Sequence, residues 1–466
     1  MKDKQICDKS MKFEDCELAI LRSAVDKAEN RSARQTVNTP IVKQLMDIVE
    51  EFLIRKKLIC YGGTAINNIL PKHDQFYDLN VEIPDYDFYS SDPLNDAKEL
   101  ADIYHKAGFE EVEAKAGVHY GTFKVFVNFI PVADITLLDK HIFKSIKKDA
   151  ISISGILYSP PNFLRMLAYL ELSRPAGDVS RWEKVMKRLS LLNKHYPMNN
   201  EKCNYANYQR TFDSNNKELV TKLYEITKQS FINQGVIFFG GFASFLYSQY
   251  MNKEVRNKFT EQPDFDVLSE DPYKTCIILK ERLNDANIDN VSIVKREALG
   301  EIIATHYEVK VGKDNIAIVY EPLSCHSYNV ITVGKSKVKV ATIDTMLSFY
   351  LAFVYANRPY YDANRILCMS TFLFYVQQKN RLNQKGLLRR FSISCMGNQH
   401  SLEEIRGEKA SKYKELMNNR NSIDYEMWFL KYRPGDDKTN AKANKPKAKQ
   451  TKKTKKIDKS TRKNKK

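Results

Sequence analysis

Tyr61-Gly62-Gly63-Thr64-Ala65-Ile66 and, further along, Pro84-Asp85-Tyr86-Asp87-Phe88-Tyr89-Ser90-Ser91-Asp92-Pro93 decide how this chain is built, because both stretches recur. Phe239-Gly240-Gly241-Phe242-Ala243 repeats the first, and Pro263-Asp264-Phe265-Asp266-Val267-Leu268-Ser269-Glu270-Asp271-Pro272 repeats the second with the same Pro, Asp, Asp, Ser, Asp and Pro. Asp85 stands 23 residues after Gly62, and Asp264 stands 24 after Gly240. Each copy then runs through a helical stretch to a His-Tyr pair, His119-Tyr120 and His306-Tyr307, and the residues 15 positions beyond the two histidines are the acids Asp134 and Glu321. Self-similarity of this kind marks a duplicated domain, here of about 90–100 residues.

Within one copy the local code reads strand, turn, helix, then strands. Thr39-Pro40 is a hydroxyl cap followed by proline in the first turn, and Ile41, Leu45, Ile48 and Phe52 recur at the spacing of one buried helix face. Residues 58–61 form a short apolar strand ending at Gly62-Gly63, where a sharp turn and the lack of Cβ atoms let a ligand approach the backbone. Thr64 opens a helix over 65–70, whose first amides attract phosphate and whose hydroxyl adds a donor. Alone, Gly-Gly-Thr is an ordinary tight turn.

The acids downstream give the turn its meaning. Asp85 and Asp87 are two residues apart, so on an extended strand both carboxylates project from one face while Tyr86 and Phe88 pack behind. Two like charges at one edge call for a cation, and hard divalent Mg²⁺ prefers carboxylate oxygens. Asp134, in the apolar stretch 129–135, supplies a third acid on another strand. Three carboxylates suffice for two ions ~3.5–4 Å apart, the chemistry of nucleotidyl transfer. In the second copy Phe242 replaces Thr64 and Glu321 replaces Asp134, so the first copy is expected to be catalytic and the second a structural or RNA-contacting relic.

Between the copies, Trp182, Val185, Leu189 and Leu192 recur as a core face while Arg181, Lys184 and Arg188 line another. Arg181 and Lys184 are candidates for neutralising a triphosphate. Lys144, Lys147 and Lys148 form a second basic cluster that could track RNA. Helices are expected over 343–356, 361–378 and 402–418, packing under the second copy, with Arg389-Arg390-Phe391 as a further possible RNA contact.

Composition bounds the partners. With 43% hydrophobic and 28% charged residues the chain is not disordered as a whole. Its longest apolar stretches, 236–246 and 346–355, fall short of the ~20 residues of a membrane span, and the N-terminus has no apolar signal-peptide core, so no membrane role is expected. Eight cysteines without a CxxC pair read as reduced thiols rather than a zinc site or a disulfide framework. The net charge of +17 is concentrated: residues 438–466 hold 13 Lys and 1 Arg against Asp458, which leaves +4 for the rest. This tail is expected to be disordered and to tether polyanions through counterion release.

Gly-Gly-Thr before a helix, Asp-x-Asp on a strand and an acid on a later strand resemble the signature of the DNA polymerase β-like nucleotidyltransferase superfamily. Tyr61–Ile66, Pro84–Phe88 and Val132-Ala133-Asp134-Ile135, with the duplication, are similar more narrowly to the catalytic subunits of the poly(A) polymerases of large nucleocytoplasmic DNA viruses, of mimivirus-like and African swine fever virus type, over roughly residues 40–435. The longer spacing between glycines and acids is taken up by an insertion over 71–83.

The resemblance implies an α/β chain of tandem nucleotidyltransferase domains with helical additions. Its parts would be an N-terminal helical extension (1–40), the catalytic domain (41–150), a helical connection (151–229), a second, inactive domain (230–325), a helical region (326–435) and the Lys-rich tail (436–466). It implies template-independent addition of AMP from ATP to the 3′ end of viral mRNA, with two Mg²⁺ or Mn²⁺ ions. Asp85, Asp87 and Asp134 would be the catalytic metal ligands, and Gly62, Gly63 and Thr64 would cradle ATP together with Arg181 and Lys184. The implied partners are a single-stranded RNA 3′ end and a second copy of the chain, or a viral processivity partner, in the host cytoplasm (viral factory) and the virion. Acids and glycines do not encode base choice, so UMP or CCA addition and a non-catalytic RNA-binding scaffold stay open.

Overall fold

The computed structural model describes residues 6–7, 10–37, 39–78, 81–198, 203, 217–259 and 262–435; the Lys-rich tail lies outside them. Helix α1 (Phe13–Val37) precedes α2 (Pro40–Lys56), whose start is capped by Thr39 Oγ1 accepting from Val42 N. Val42, Leu45, Met46, Val49, Phe52 and Leu53 of α2 are buried, whereas Ile41 is 52% exposed. The buried stripe is therefore centred one residue further on than expected, because Val42, Met46, Val49 and Leu53 repeat the same 3–4 spacing and widen the face that meets the sheet.

The first unit continues through β1 (Ile59–Cys60), α3 (Gly62–Ile69), β2 (Asp87–Ser90), α4 (Pro93–Lys106), β3 (Val112–Ala116), β4 (Thr122–Val127), β5 (Ile130–Leu137), α5 (Lys140–Lys148), β6 (Ile151–Ile153), β7 (Ile156–Tyr158), α6 (Pro161–Leu172) and α7 (Trp182–His195). The second runs α8 (Lys217–Gln234), β8 (Ile237–Phe238), α9 (Gly241–Ser248), α10 (Lys253–Arg256), β9 (Phe265–Leu268), α11 (Pro272–Asp285), β10 (Val291–Arg296), β11 (His306–Val311), β12 (Asp314–Tyr320), β13 (His326–Val333), β14 (Ser336–Ala341), α12 (Ile343–Tyr355) and α13 (Ala363–Lys379). After these come β15 (Cys395–Met396), α14 (Leu402–Leu416), α15 (Ile423–Phe429) and β16 (Lys431–Tyr432).

Each unit builds a mixed sheet, and the two strand orders correspond: β3-β4-β5-β2-β1-β7-β6 in the first and β10-β11-β12-β9-β8-β14-β13 in the second. The duplication is thus longer than the expected 90–100 residues. It includes the β6–β7 and β13–β14 hairpins, which fall in the stretches 151–229 and 326–435 expected to be helical. Part of the shared sequence serves the strand-to-helix turn. Ser90 Oγ accepts from Asp92 N (2.8 Å) and Pro93 starts α4, while Ser269 Oγ accepts from Asp271 N (3.2 Å) and Pro272 starts α11.

One apolar core runs through both units. Helices α6 and α12 meet at the seam, where Phe163 and Tyr355 pack edge to face at 5.3 Å, and Ser327 N donates to Ser173 O (2.9 Å). Arg165, almost wholly buried on α6, donates from Nε to Asn193 Oδ1 (2.8 Å) and from its other nitrogens to Asn162 and the Tyr196 carbonyl, locking α7 onto α6.

The C-terminal segment does not stay under the second unit as expected. Strand β16 adds antiparallel to β3 of the first sheet, Lys98 pairs with Glu426 (2.8 Å), and Tyr432 OH donates to Asp102 (2.7 Å). The cysteines also depart from expectation. Cys7–Cys16, Cys203–Cys368 and Cys325–Cys395 form disulfides, and Cys60 and Cys276 are free and buried. The last two bridges join residues 165 and 70 positions apart, a proximity created by folding rather than by short spacing. No described helix is long and apolar enough to cross a membrane.

Candidate active site

The chain leaves β1 through Tyr61 and enters α3 at Gly62, whose φ of +72° favours glycine. A Cβ on Gly62 would stand 2.7 Å from Asp87 Oδ2. A Cβ on Gly63 would strike the Tyr77 hydroxyl and lie 2.8 Å from Arg188 Nη2. One glycine therefore makes room for an acid and the next makes room for a cation.

Thr64 has a different task from the one expected of it. Its side chain is buried and its hydroxyl donates to the Asp85 carbonyl (2.7 Å), so it fixes the acidic stretch instead of offering a donor to a ligand. Behind that stretch Tyr86 and Phe88 are buried, as the alternation requires. Asp87 opens β2, and parallel pairing sets it opposite Asp134 on β5, with Asp134 N donating to Tyr86 O (3.0 Å). Opposed residues of adjacent strands share a face, so the carboxylates of Asp87 and Asp134 project to the same side beside Gly62.

These acids act on one another electrostatically. Burial, reinforced by the charges of Asp85 and Asp134, pushes Asp87 up to about 7 against the opposing pull of Lys124 and Arg181. Asp85 is raised by burial and by Asp134. Lys124, opposite Asp134 on β4, forms an ion pair with it. Among the described residues, His73, Asp74 and His195 are the one group of three such donors within 4.8 Å of one another, so the Asp85, Asp87 and Asp134 oxygens are spread more widely than a single-ion cluster. Hard oxygen donors that raise one another's proton affinity suit divalent cations, which would relieve that repulsion.

Cations close the other side. Arg181, at the start of α7, lies 3.4 Å from Glu171 and acts electrostatically on Asp87. Lys184 is exposed one turn on. Arg188 reaches further in: its Nη2 donates to Tyr77 OH (2.7 Å), and its guanidinium lies 5.1 Å from the Phe76 ring centre and 5.7 Å from that of Tyr77. Tyr61 stacks on Tyr89 at 3.9 Å and shares a 3.0 Å hydrogen bond with Thr136. Lys124 and Arg188 were not singled out for the site from sequence. The available signals were a lysine in the alternating strand Thr122–Val127 and an arginine four residues after Lys184 on the same helix face.

Comparison with known proteins shows what the segment carrying this geometry is similar to. Residues 47–178, which include the glycine turn and all three acids, match the family described as poly(A) polymerase catalytic subunit. The chain is 31% identical over 180 residues to a putative poly(A) polymerase catalytic subunit of African swine fever virus (isolate Tick/Malawi/Lil 20-1/1983), covering 37% of this chain and 38% of that one. It is 36% identical over 164 residues to the protein of the same description from Acanthamoeba polyphaga mimivirus, covering 34% of this chain and 27% of the other. The matches thus span well under half the length of these relatives. The crystal structure of the Megavirus polyadenylate synthase shares the fold, with a TM-score of 0.76 at 20% identity over 93% of this chain and 88% of that one.

Outside the family segment, the second unit keeps the scaffold and changes the chemistry. Asp266 on β9 is opposite Ile318 on β12, so an apolar, fully buried residue occupies the place that Asp134 has in the first sheet. Glu321, expected there, lies past the end of β12 and is exposed. The His-Tyr pairs do not correspond either. His119 is exposed in the β3–β4 turn, whereas His306 is buried on β11, with Nδ1 2.9 Å from Ala304 O and Nε2 2.8 Å from Tyr360 OH. Phe242, at the place of Thr64, fills an aromatic cluster with Phe238 and Phe265.

Two further basic candidates lie away from this turn. Lys144, Lys147 and Lys148 ride on α5, where Lys147 lies over the Phe143 ring and is held down by burial and by Lys57, at the end of β1 remote from Gly62. Arg390 is tied to buried Asp344 (2.5 Å), and Phe391 packs 5.5 Å from Trp182, so that motif braces the seam.

Proposed function

We propose that this chain is a template-independent poly(A) polymerase acting on the 3′ end of RNA with ATP. The observation that carries this reading is the register Asp87–Asp134 beside Gly62 within the segment that matches the family. In the reaction the RNA 3′ oxygen forms a bond to the α-phosphorus of ATP, the α–β bridging bond breaks, and pyrophosphate leaves.

Asp85, Asp87 and Asp134 would hold two divalent ions, Mg²⁺ or Mn²⁺, which when bound lower the cost of ionising the 3′-hydroxyl and neutralise the departing phosphates. The rest is positioning. Thr64 fixes the backbone of Asp85, Gly62 admits the Asp87 carboxylate, and Lys124 holds Asp134 in place. The start of α3 would offer amides to phosphate oxygens, with Arg188 beside Gly63 and Arg181 and Lys184 at the start of α7 adding positive charge. Association of two copies is supported by α1, on which Phe13, Leu18, Leu21 and Val25 remain exposed.

The test is an RNA primer incubated with the protein, Mg²⁺ or Mn²⁺, and each nucleoside triphosphate separately. Ladders with ATP alone are expected. Ladders with UTP or CTP would make it a different terminal transferase, and no product with any triphosphate would make it a scaffold.

A further inference from the structure

We propose that His73, Asp74 and His195 form a transition-metal site that fastens the segment after α3 to the C-terminal end of α7. His73 and Asp74 lie on a short 3₁₀ turn (Lys72–Asp74), and His195 is the last residue of α7. His195 Nε2 is 2.5 Å from Asp74 Oδ2, and His73 Nε2 is 3.7 Å from the same oxygen. The three donor atoms lie within 4.8 Å of one another, and the imidazole rings meet edge to face with centres 6.0 Å apart. Two imidazole nitrogens and one carboxylate suit Zn²⁺, Co²⁺ or Ni²⁺ far better than Mg²⁺, which prefers oxygen alone.

The surroundings hold the donors in place. The side chains of Asp74 and His195 are only 19% and 17% exposed, while that of His73 is 74% exposed and leaves one side open to water as a further ligand. His195 is anchored through its neighbour, because Tyr196 OH donates to Ile69 O (2.7 Å) and the Tyr196 carbonyl accepts from Arg165. One competitor is present. Lys194 Nζ lies 2.5 Å from Asp74 Oδ2, but its side chain is 59% exposed and can turn into solvent when a metal takes the oxygen.

The fastened segment has a direct bearing on the candidate active site. Three residues beyond Asp74, Tyr77 accepts the hydrogen bond from Arg188, and this pair covers Gly63. A metal at the clip would therefore fix Arg188 at the start of α3. The metal site stands on its own geometry; only this last consequence rests on the polymerase reading.

The test uses the full chain carrying Asp85→Asn and Asp87→Asn, so that the carboxylate site does not bind the probe and no catalytic activity is read. Zn²⁺ is titrated by calorimetry, and Co²⁺ is followed by its visible ligand-field absorption. One equivalent is expected, with affinity falling about 10–100-fold in His73→Ala and in His195→Ala, and rising in Lys194→Ala, which removes the competing cation. His73→Ala takes away an exposed ring and leaves the core intact, so it remains informative if His195→Ala does not fold. Zn²⁺ binding unchanged by His73→Ala, binding seen only at millimolar metal, or weaker binding in Lys194→Ala would each overturn the proposal.

Discussion

The two sheets carry their strands in the same order, yet where the first sets Asp87 beside Asp134 with Lys124 opposite, the second sets Asp266 beside Ile318 with Glu308 opposite. The backbone is indifferent to this exchange, because a strand accepts an acid at a half-buried position as readily as an isoleucine at a buried one. The chemistry is not. Three interacting carboxylates call for a cation, whereas in the second unit Ile318 stands where the third acid would be, and both Asp264 and Asp266 lie so close to Gly240 and Gly241 that a Cβ on either glycine would collide with them, as one on Gly62 would with Asp87. The acids kept in the second unit are thus packed into its turn, and a duplicated scaffold need not mean a duplicated site.

The largest effect should separate the units by activity. Asp87→Asn is expected to lower primer extension on the order of 10²–10³-fold, and Asp266→Asn only a few-fold. Equal losses would break the comparison. Next comes stability: Ile318→Asp places a charge in the core and should cost about 3 kcal/mol or more in urea unfolding, while Asp134→Ile should cost under about 1 kcal/mol and abolish extension. If Ile318→Asp were tolerated, the second unit would be a silenced site rather than a rebuilt core.

Acid should then pick out the second unit. His326 is buried against Phe349, and burial together with the nearby charge of Arg174 lowers it to about 3. Its folded value lies below the unfolded one, near 6.5, so the unfolded chain binds the proton first and stability falls as pH drops through that window. Between pH 7 and pH 5 this should cost roughly 2 kcal/mol, read as a fall in urea midpoint that His326→Gln removes. The smallest effect concerns the cation at the turn. Arg188→Ala should raise KM for ATP about tenfold with little change in the metal requirement.

How much of this could be read from the chain depends on what each residue touches. The glycine turn, the paired acids and the cap at Thr39 act on neighbours in sequence, so they were visible there. The role of Thr64 was not, because its partner is a carbonyl 21 residues away and a threonine hydroxyl serves a ligand or a backbone equally well. Matching Glu321 to Asp134 by counting from the histidines failed because His119 sits in a turn and His306 in a strand. The hairpin Ile151–Ile153 and Ile156–Tyr158 was hidden by strands of three residues, too short to show alternation. Lys124 required knowing which strand lies beside β5.

Strand β16 has a bearing on how the protein is made. It completes the margin of a sheet whose other strands are synthesised some three hundred residues earlier. Until the ribosome has delivered Lys431 and Tyr432, the free side of β3 offers unpaired amides and carbonyls to any passing strand. A nascent chain halted before that point would expose a sticky border, so delivery of β16 is the step that closes it against aggregation.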